Sequence, residues 1–219
     1  MKKYFVSNSA ESVRMFKSDF MESLSKVHFA VPLVIYIPTI GYLIYRSFTL
    51  QVGLLFFLFY FLFGLIIWTI TEYLLHRYIF HFEPKSKWGQ RMHFIFHGVH
   101  HDYPQDAKRL VMPPSASIPL AILFYLLFSL FFKNQSFLSA FFAGFITGYL
   151  LYDMIHYAIH HANFKSPLMK RLRVHHMLHH YAYPNKGYGV SSALWDVVFK
   201  SDFPPKRKNI TTAQSGANN

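Results

Sequence analysis

The chain of 219 residues contains no cysteine and few acidic side chains. The missing thiols exclude disulfide bonds, thiolate metal ligands and cysteine nucleophiles. Only 15% of the residues are charged, and 10 aspartates and glutamates stand against 22 lysines and arginines. Hydrophobic residues make up 53% of the chain and aromatic residues 20%. This composition is too apolar for a disordered chain and is typical of a polytopic membrane protein.

The excess of basic residues gives a formal net charge of +12. Such a charge raises the question of nucleic-acid binding. However, the basic residues do not form one stripe, and long apolar runs separate them. We therefore expect a basic membrane face that meets anionic headgroups, and no nucleic-acid partner.

Four stretches of the chain carry no charged residue, and a helix needs about 17–20 such residues to cross the hydrocarbon of a bilayer. The short links at 46–51 and 133–136 pair these stretches into two hairpins. The sequence therefore predicts four transmembrane helices, with re-entrant or buried core helices as the alternative. The predicted spans are about 29–45, 52–71, 113–132 and 136–152.

An even number of crossings puts residues 1–28, 72–112 and 153–219 on one side of the membrane. Of the 22 basic residues, only Arg46 and Lys133 lie on the other side, which leaves 20 on the first. The positive-inside rule makes that first side cytoplasmic, together with both termini. We expect the inner membrane in a bacterium or the endoplasmic reticulum in a eukaryote. Residues 1–203 are predicted to form one membrane domain, and 204–219 a flexible polar tail.

Thirteen of the 14 histidines fall in four clusters, which read HRYIFH, HFIFHGVHH, HYAIHH and HHMLHH. All four lie on the predicted cytoplasmic side. Imidazole is the commonest protein ligand for transition metals. Histidines three or four residues apart share one side of a helix. His76 and His81 are five apart, which requires a helix end or a bend between them.

These spacings offer ten imidazoles as metal ligands. At four to six ligands per ion, ten imidazoles predict two metal ions. Nitrogen ligands suit Fe, Zn, Cu or Ni, but zinc hydrolases use about three protein ligands and a water. The pattern therefore favours a non-haem diiron site that activates dioxygen against an unactivated C–H bond, with a lipid as substrate. The ten are His76, His81, His97, His100, His101, His156, His160, His176, His179 and His180.

Five further residues are candidates for metal ligation or for the support of a ligand. The two acids precede His76 and His156 by one helical turn, so they could accept the second N–H of a ligating histidine. The alternatives are surface histidines and interface carboxylates that pair with an arginine. His28 stands alone at the start of the first span and is excluded from the site. The five candidates are His93, His161, His175, Glu72 and Asp153.

The four histidine motifs together resemble those of the fatty acid hydroxylase superfamily of membrane diiron proteins, which includes sterol methyl oxidases, sterol desaturases and carotenoid hydroxylases. Three further segments narrow the resemblance to the sphingolipid fatty acid 2-hydroxylases. The segments are KRLVMPP at 108–114, GYLLYDMIHY at 148–157 and GYGVSSALWDVVF at 187–199. The likeness runs from about Glu72 to Phe199.

The resemblance implies an all-α integral membrane fold, in which a cytosolic helical cap above four membrane helices holds two irons on the same ten histidines. Zinc could replace iron in purified protein. The implied reaction uses dioxygen to insert one oxygen atom, stereospecifically, at C2 of the N-acyl chain of a ceramide-type lipid. The other oxygen atom leaves as water. Tyr152 and Asp153 would face the substrate and orient it.

One departure from the family concerns the source of electrons. Many members carry an N-terminal cytochrome b5 domain, whereas about 27 residues precede the first span here, without an HPGG segment. We therefore expect a separate donor, such as a cytochrome b5 or a ferredoxin system. A sterol or carotenoid oxidase of the same superfamily is the alternative function. A metal transporter is disfavoured, because its ligands belong near the bilayer midplane.

Overall fold

The computed structural model describes residues 4–204, so the predicted tail lies outside the described residues except for residue 204. Within this range the chain is helical and forms no strand. Two π-helical segments, Leu75–Phe80 and Phe94–Gly98, directly continue α3 and α4. The helices are α1 (Asp19–Leu24), α2 (Ala30–Thr49), α3 (Leu54–Leu74), α4 (Lys87–His93), α5 (Val99–Asp102), α6 (Pro114–Ser129), α7 (Gln135–His161), α8 (Pro167–Tyr181) and α9 (Leu194–Val198).

Three of these helices are long and apolar enough to cross a membrane: α2, α3 with its π-helical continuation, and α7. They correspond to the first, second and fourth predicted spans. The helix at the third predicted span, α6, has only 16 residues. At about 1.5 Å per residue it is about 24 Å long, which is less than the hydrocarbon thickness of about 30 Å. Helix α6 begins at Pro114, a residue type that suits the first position of a helix, and it ends at Ser129.

Helix α7 occupies the centre of the bundle. In the apolar 18-residue stretch of α7, 78% of the residues are buried inside the protein. In the corresponding stretch of α3 and its continuation, 11% are buried. The exposed side chains of α3 are almost all apolar, as expected for a helix that faces lipid. Helix α7 continues past the predicted span of about 136–152 and ends at His161. This extension carries Asp153, His156 and His160 on one continuous helix.

Arg46 joins the two hairpins at the end where their short turns lie. Its guanidinium donates to the Tyr125 hydroxyl at 3.0 Å and to Gln135 Oε1 at 3.2 Å. Both acceptors belong to the second hairpin, whereas Arg46 belongs to the first. These hydrogen bonds satisfy an arginine near the end of a membrane helix. At the opposite end of the bundle, the ends of α3 and α7 lie side by side, and the histidine clusters follow there.

The backbones of α3 and α7 touch at two glycines. A Cβ atom on Gly64 would lie 2.0 Å from the carbonyl oxygen of Phe141, and one on Gly144 would lie 1.9 Å from that of Phe61. Helices in membranes approach this closely only where small residues face each other. The crossing therefore fixes the relative position of the two helices that carry His76 and His156.

We predict that Gly144→Leu separates α3 from α7 and destabilises the protein by about 1–3 kcal/mol, the usual effect of an overpacked contact. Thermal unfolding in detergent measures the effect as a lower melting temperature. Gly41→Leu is the matched control, because a Cβ atom on Gly41 in α2 meets nothing within 4 Å. Equal melting temperatures for the two variants would contradict the close crossing.

Candidate metal centre

The end of α3 explains how two histidines five residues apart point the same way. The amide of His81 donates to the carbonyl of His76 at 3.1 Å, a bond that spans five residues. Such a bond defines a π-helical turn, which is rare and occurs mostly at functional sites. The bend that the spacing of His76 and His81 required is therefore a π-helical turn.

The ten histidines singled out by their spacing converge in two groups of five. Within each group, one ring nitrogen from every member lies within 4.8 Å of the others. Members come from the ends of α3 and α7, from α8, and from the π-helical segment and α5 between residues 94 and 102. The first histidine group is His76, His81, His97, His101 and His179, and the second histidine group is His100, His156, His160, His176 and His180.

Each HxxHH motif divides its histidines between the two groups. His97 and His101 belong to the first histidine group, and His100 belongs to the second. The HHMLHH segment does the reverse, with His179 in the first group and His176 and His180 in the second. On a helix, the residue three positions on lies about 60° to one side of the first, and the residue four positions on lies about 40° to the other. The middle histidine therefore reaches the neighbouring group.

The distances between the ring nitrogens match the edges of a metal coordination shell. Neighbouring Nε2 atoms within a group lie 2.9 to 3.1 Å apart in the seven closest pairs. Metal–nitrogen bonds of about 2.1 Å at right angles put adjacent nitrogens about 3.0 Å apart. The donor sets therefore fit a transition-metal ion in each group. The rings of His101 and His180 stack at 4.2 Å, so the two groups are direct neighbours.

In two of the histidines, the hydrogen bond made by Nδ1 determines that Nε2 carries the free lone pair. His76 Nδ1 contacts the carbonyl oxygen of Tyr188, and His179 Nδ1 lies 2.7 Å from that of Lys186. A carbonyl oxygen only accepts, so each Nδ1 carries the proton and each Nε2 carries a lone pair. Metal-ligating histidines usually have this arrangement.

Burial keeps the clustered imidazoles neutral. Removal from water lowers the pKa of His179 to about 3, and repulsion from His76 adds to the effect. The pKa of His97 and that of His101 also fall well below the usual range, because both rings are buried and surrounded by other imidazoles. Neutral rings at physiological pH are ready to bind a metal ion without first losing a proton.

Glu72 supports the first histidine group through a loop and not by a bond to a histidine. Its carboxylate accepts hydrogen bonds from the amides of Val190 and Ser191, both at 2.9 Å, and from the Ser191 hydroxyl. The same loop carries the carbonyl that His76 contacts. Glu72 thus lies behind His76, although its partners differ from the direct bond that its spacing suggested.

Asp196 is a second anchor of this loop, and the sequence reasoning missed it. Its Oδ1 accepts from the amide of Tyr188 at 2.9 Å and its Oδ2 from that of Gly189 at 2.8 Å. Gly187 in the same loop has φ +70°, a conformation that favours glycine. The signal was present in GYGVSSALWDVVF, where a glycine-rich turn is followed by one buried acid.

A cavity of about 320 Å³ reaches both histidine groups. His97 of the first group and His100 and His156 of the second line one end, beside Tyr152 and Asp153. The other lining residues lie between 15 and 25, 80 and 99, and 109 and 116; most are apolar, and Arg109 is the charged exception. The cavity is therefore mostly apolar, and the part lined by the histidines, Tyr152 and Asp153 is its inner end.

Tyr152 and Asp153 are both buried at that inner end. The Tyr152 ring stacks on His156 with a centroid distance of 5.7 Å. The Asp153 carboxylate accepts hydrogen bonds from the Met112 amide and the Tyr149 hydroxyl, each at 3.2 Å. Asp153 thus ties α7 to the start of α6 and faces the cavity, whereas its spacing had suggested a bond to a histidine.

The remaining histidines lie outside both groups. His93 is half-buried, and His161 is exposed, with its ring 4.8 Å from that of Tyr157. His175 Nε2 lies 3.0 Å from Asp196 Oδ2. His28 Nδ1 accepts from the Ala30 amide at the start of α2, in keeping with its exclusion from the site.

Comparison with known proteins identifies relatives over most of the chain. The fatty acid hydroxylase family matches residues 61–201. The dihydroceramide fatty acyl 2-hydroxylase FAH2 of Arabidopsis thaliana is 40% identical over 195 residues, which cover 86% of this chain and 79% of that protein. The fatty acid 2-hydroxylase of Rattus norvegicus is 35% identical over 216 residues, 89% of this chain and 58% of that protein.

A solved structure has the same fold. It is described as full-length scs7p with only the hydroxylase domain visible, and it matches with a TM-score of 0.80 at 36% identity. The match covers 86% of this chain and 71% of that one. The matched region contains all ten clustered histidines, since the family match begins before His76 and ends after His180. The chain belongs to the fatty acid hydroxylase family.

Proposed function

We propose that this protein is a membrane diiron hydroxylase that adds a hydroxyl group at C2 of the N-acyl chain of a ceramide-type lipid. The observation that carries the proposal is the apolar cavity that ends at both histidine groups. An acyl chain fits such walls, and its reacting carbon would lie beside the candidate ligands. The names of the relatives, dihydroceramide fatty acyl 2-hydroxylase and fatty acid 2-hydroxylase, support the choice of substrate and position.

The proposed reaction consumes the lipid C–H bond, one O₂, two electrons and two protons, and yields the C–OH group and one water. Bound iron would supply the activation of dioxygen that an unactivated C–H bond requires. The five imidazoles of each histidine group would hold one ion. Zinc fits the same nitrogen donors, but it has no redox chemistry, so zinc-loaded protein should be inactive.

The chain's own residues would bind and orient the lipid. Met21 and Leu24 of α1 also line the cavity, so they would hold the acyl chain and exclude water. Tyr152 and Asp153 are polar groups at the inner end, where the amide of the lipid would lie next to C2. We propose that these two side chains orient that amide, with the Asp153 carboxylate held in place by Met112 and Tyr149.

We also propose four membrane crossings, with the histidine groups and both termini in the cytoplasm. Helix α6 would cross together with the apolar residues 130–132 that follow it. The hydrogen bonds of Arg46 support a common side for the two short turns, opposite the candidate metal centre. The basic residues concentrated beside the histidines support the cytoplasmic assignment.

Reporter fusions test this topology. Reporters after residues 27, 51, 104, 132 and 203 should be read as inside, outside, inside, outside and inside, because each hairpin returns the chain to the cytoplasm. An inside signal at 132 with all others unchanged would mean that neither α6 nor α7 crosses. An outside signal at 104 or 203 would contradict the shared location of the histidine groups.

Lipid analysis under ¹⁸O₂ tests the reaction. Cells that express the protein should gain 2-hydroxy acyl chains on ceramides, with the label in the new hydroxyl group. His100→Ala should lower this product by more than about 100-fold, because loss of a direct ligand should exceed the 10–100-fold effect of a lost outer partner. His28→Ala, outside both groups, should keep near-normal product. Product that is unlabelled, or unchanged in the His100 variant, would refute the proposal.

The same experiment separates the alternatives. A sterol or carotenoid oxidase would change the sterols or carotenes and leave the ceramides unchanged, but the relatives named above act on fatty acyl groups. A metal transporter would need ligands near the middle of the spans. Both histidine groups instead lie at the helix ends, which does not support transport.

A further inference from the structure

The proposed hydroxylation consumes two electrons that the lipid does not supply, and the following inference rests on that proposed function. The chain contains no cysteine, so it cannot supply them from a dithiol. A carrier protein that supplies them would dock at a surface connected to the histidine groups. One exposed groove of the described chain has this property.

The groove lies on the outer face of α8, the helix whose inner face carries His176, His179 and His180. Its volume is about 340 Å³, and its lining residues are Lys170, Arg171, Val174, His175, Leu178 and Phe203. Neither Lys170 nor Arg171 forms an ion pair within residues 4–204. Val174, one helical turn further along α8, is 59% exposed.

Apolar side chains beside two exposed cations without an ion pair in the described range fit a partner of matching chemistry. Buried apolar contacts surrounded by polar groups are the usual anatomy of a protein interface. Charge complementarity at the rim accelerates association and weakens as salt is added. The groove is therefore suited to a brief encounter with a protein that presents acidic side chains around a small apolar patch.

Hydrogen bonds connect this groove to the first histidine group. His175 in the groove lies 3.0 Å from Asp196 Oδ2, and Asp196 Oδ1 accepts from the Tyr188 amide at 2.9 Å. The carbonyl of the same residue, Tyr188, contacts Nδ1 of His76. Three contacts thus lead from the surface to a candidate ligand. His175 belongs to neither histidine group, and it is the residue of this path that lies nearest the surface.

We propose that the α8 groove is the docking surface of an acidic one-electron carrier protein. Two reduced carriers dock in turn, and each leaves as its oxidised form after it donates one electron. Together with two protons from water, these electrons balance the reduction of O₂ to one inserted oxygen atom and one water. Anionic lipid headgroups could also meet Lys170 and Arg171, and the experiment distinguishes the two.

The test uses the full-length protein in nanodiscs, loaded with iron and supplied with ceramide and O₂. Electrons come from a reduced cytochrome b5 haem domain, from a reduced ferredoxin, both chosen for net negative charge, or from a small uncharged reductant. The variant is Lys170→Glu with Arg171→Glu. Lys133→Glu is the control, because Lys133 is exposed at the end of the bundle opposite the histidines.

We expect the double variant to raise the KM for a protein carrier by about tenfold or more and to lose the salt dependence of the wild-type rate, as for reversed rim charges. Its turnover with the small reductant should stay within about twofold of wild type, as should the control with every donor.

Equal carrier KM values in variant and wild type, or no turnover with either carrier, would overturn the docking surface. If the double variant loses turnover equally with the carrier and with the small reductant, and this loss depends on anionic lipid, the groove binds lipid headgroups instead. Absence of product from wild-type protein with the small reductant would refute the proposed hydroxylase function itself.

Discussion

Ten neutral imidazoles in two tight groups, eight of them buried, are the constraint on which the rest of this structure depends. Lone pairs that face one another at about 3 Å, away from water, are unfavourable unless a cation lies between them, since each unsatisfied buried group costs about 1–3 kcal/mol. The His76 and His179 tautomers point their lone pairs inward. Metal binding and the folding of the helical cap are therefore linked, as in other proteins whose metal ligands come from several segments.

The membrane helices hold the histidine groups in position from one side, and one loop holds them from the other. Gly64 and Gly144 bring α3 and α7 into backbone contact, and Arg46 holds the two hairpin turns together at the far end. From the other side, Glu72 and Asp196 hold the loop whose carbonyls orient His76 and His179. The apolar cavity reaches both histidine groups, so a lipid chain in the cavity would lie beside the candidate metal ligands.

The sequence alone predicted much of this arrangement, because hydrophobic length and histidine spacing are local signals. It identified the ten histidines that the structure brings together and the three helices that are long and apolar enough to cross a membrane. It did not reveal how each HxxHH motif divides between two groups, since that depends on which helices face each other. The shortness of α6 was also hidden, because an apolar run does not mark where a helix ends. Asp196 was missed because its partners lie in a loop whose path depends on tertiary contacts.

Metal counting on purified protein tests the two-group arrangement most directly. Native mass spectrometry with elemental analysis, after anaerobic iron loading, should find two ions per wild-type chain. His100→Ala changes only the second histidine group and His179→Ala only the first. Each variant should bind one ion as tightly as the wild type and the other more than about tenfold more weakly, because only one group has lost a nitrogen ligand. A single ion in the wild-type protein, or two firmly bound ions in both variants, would contradict the account.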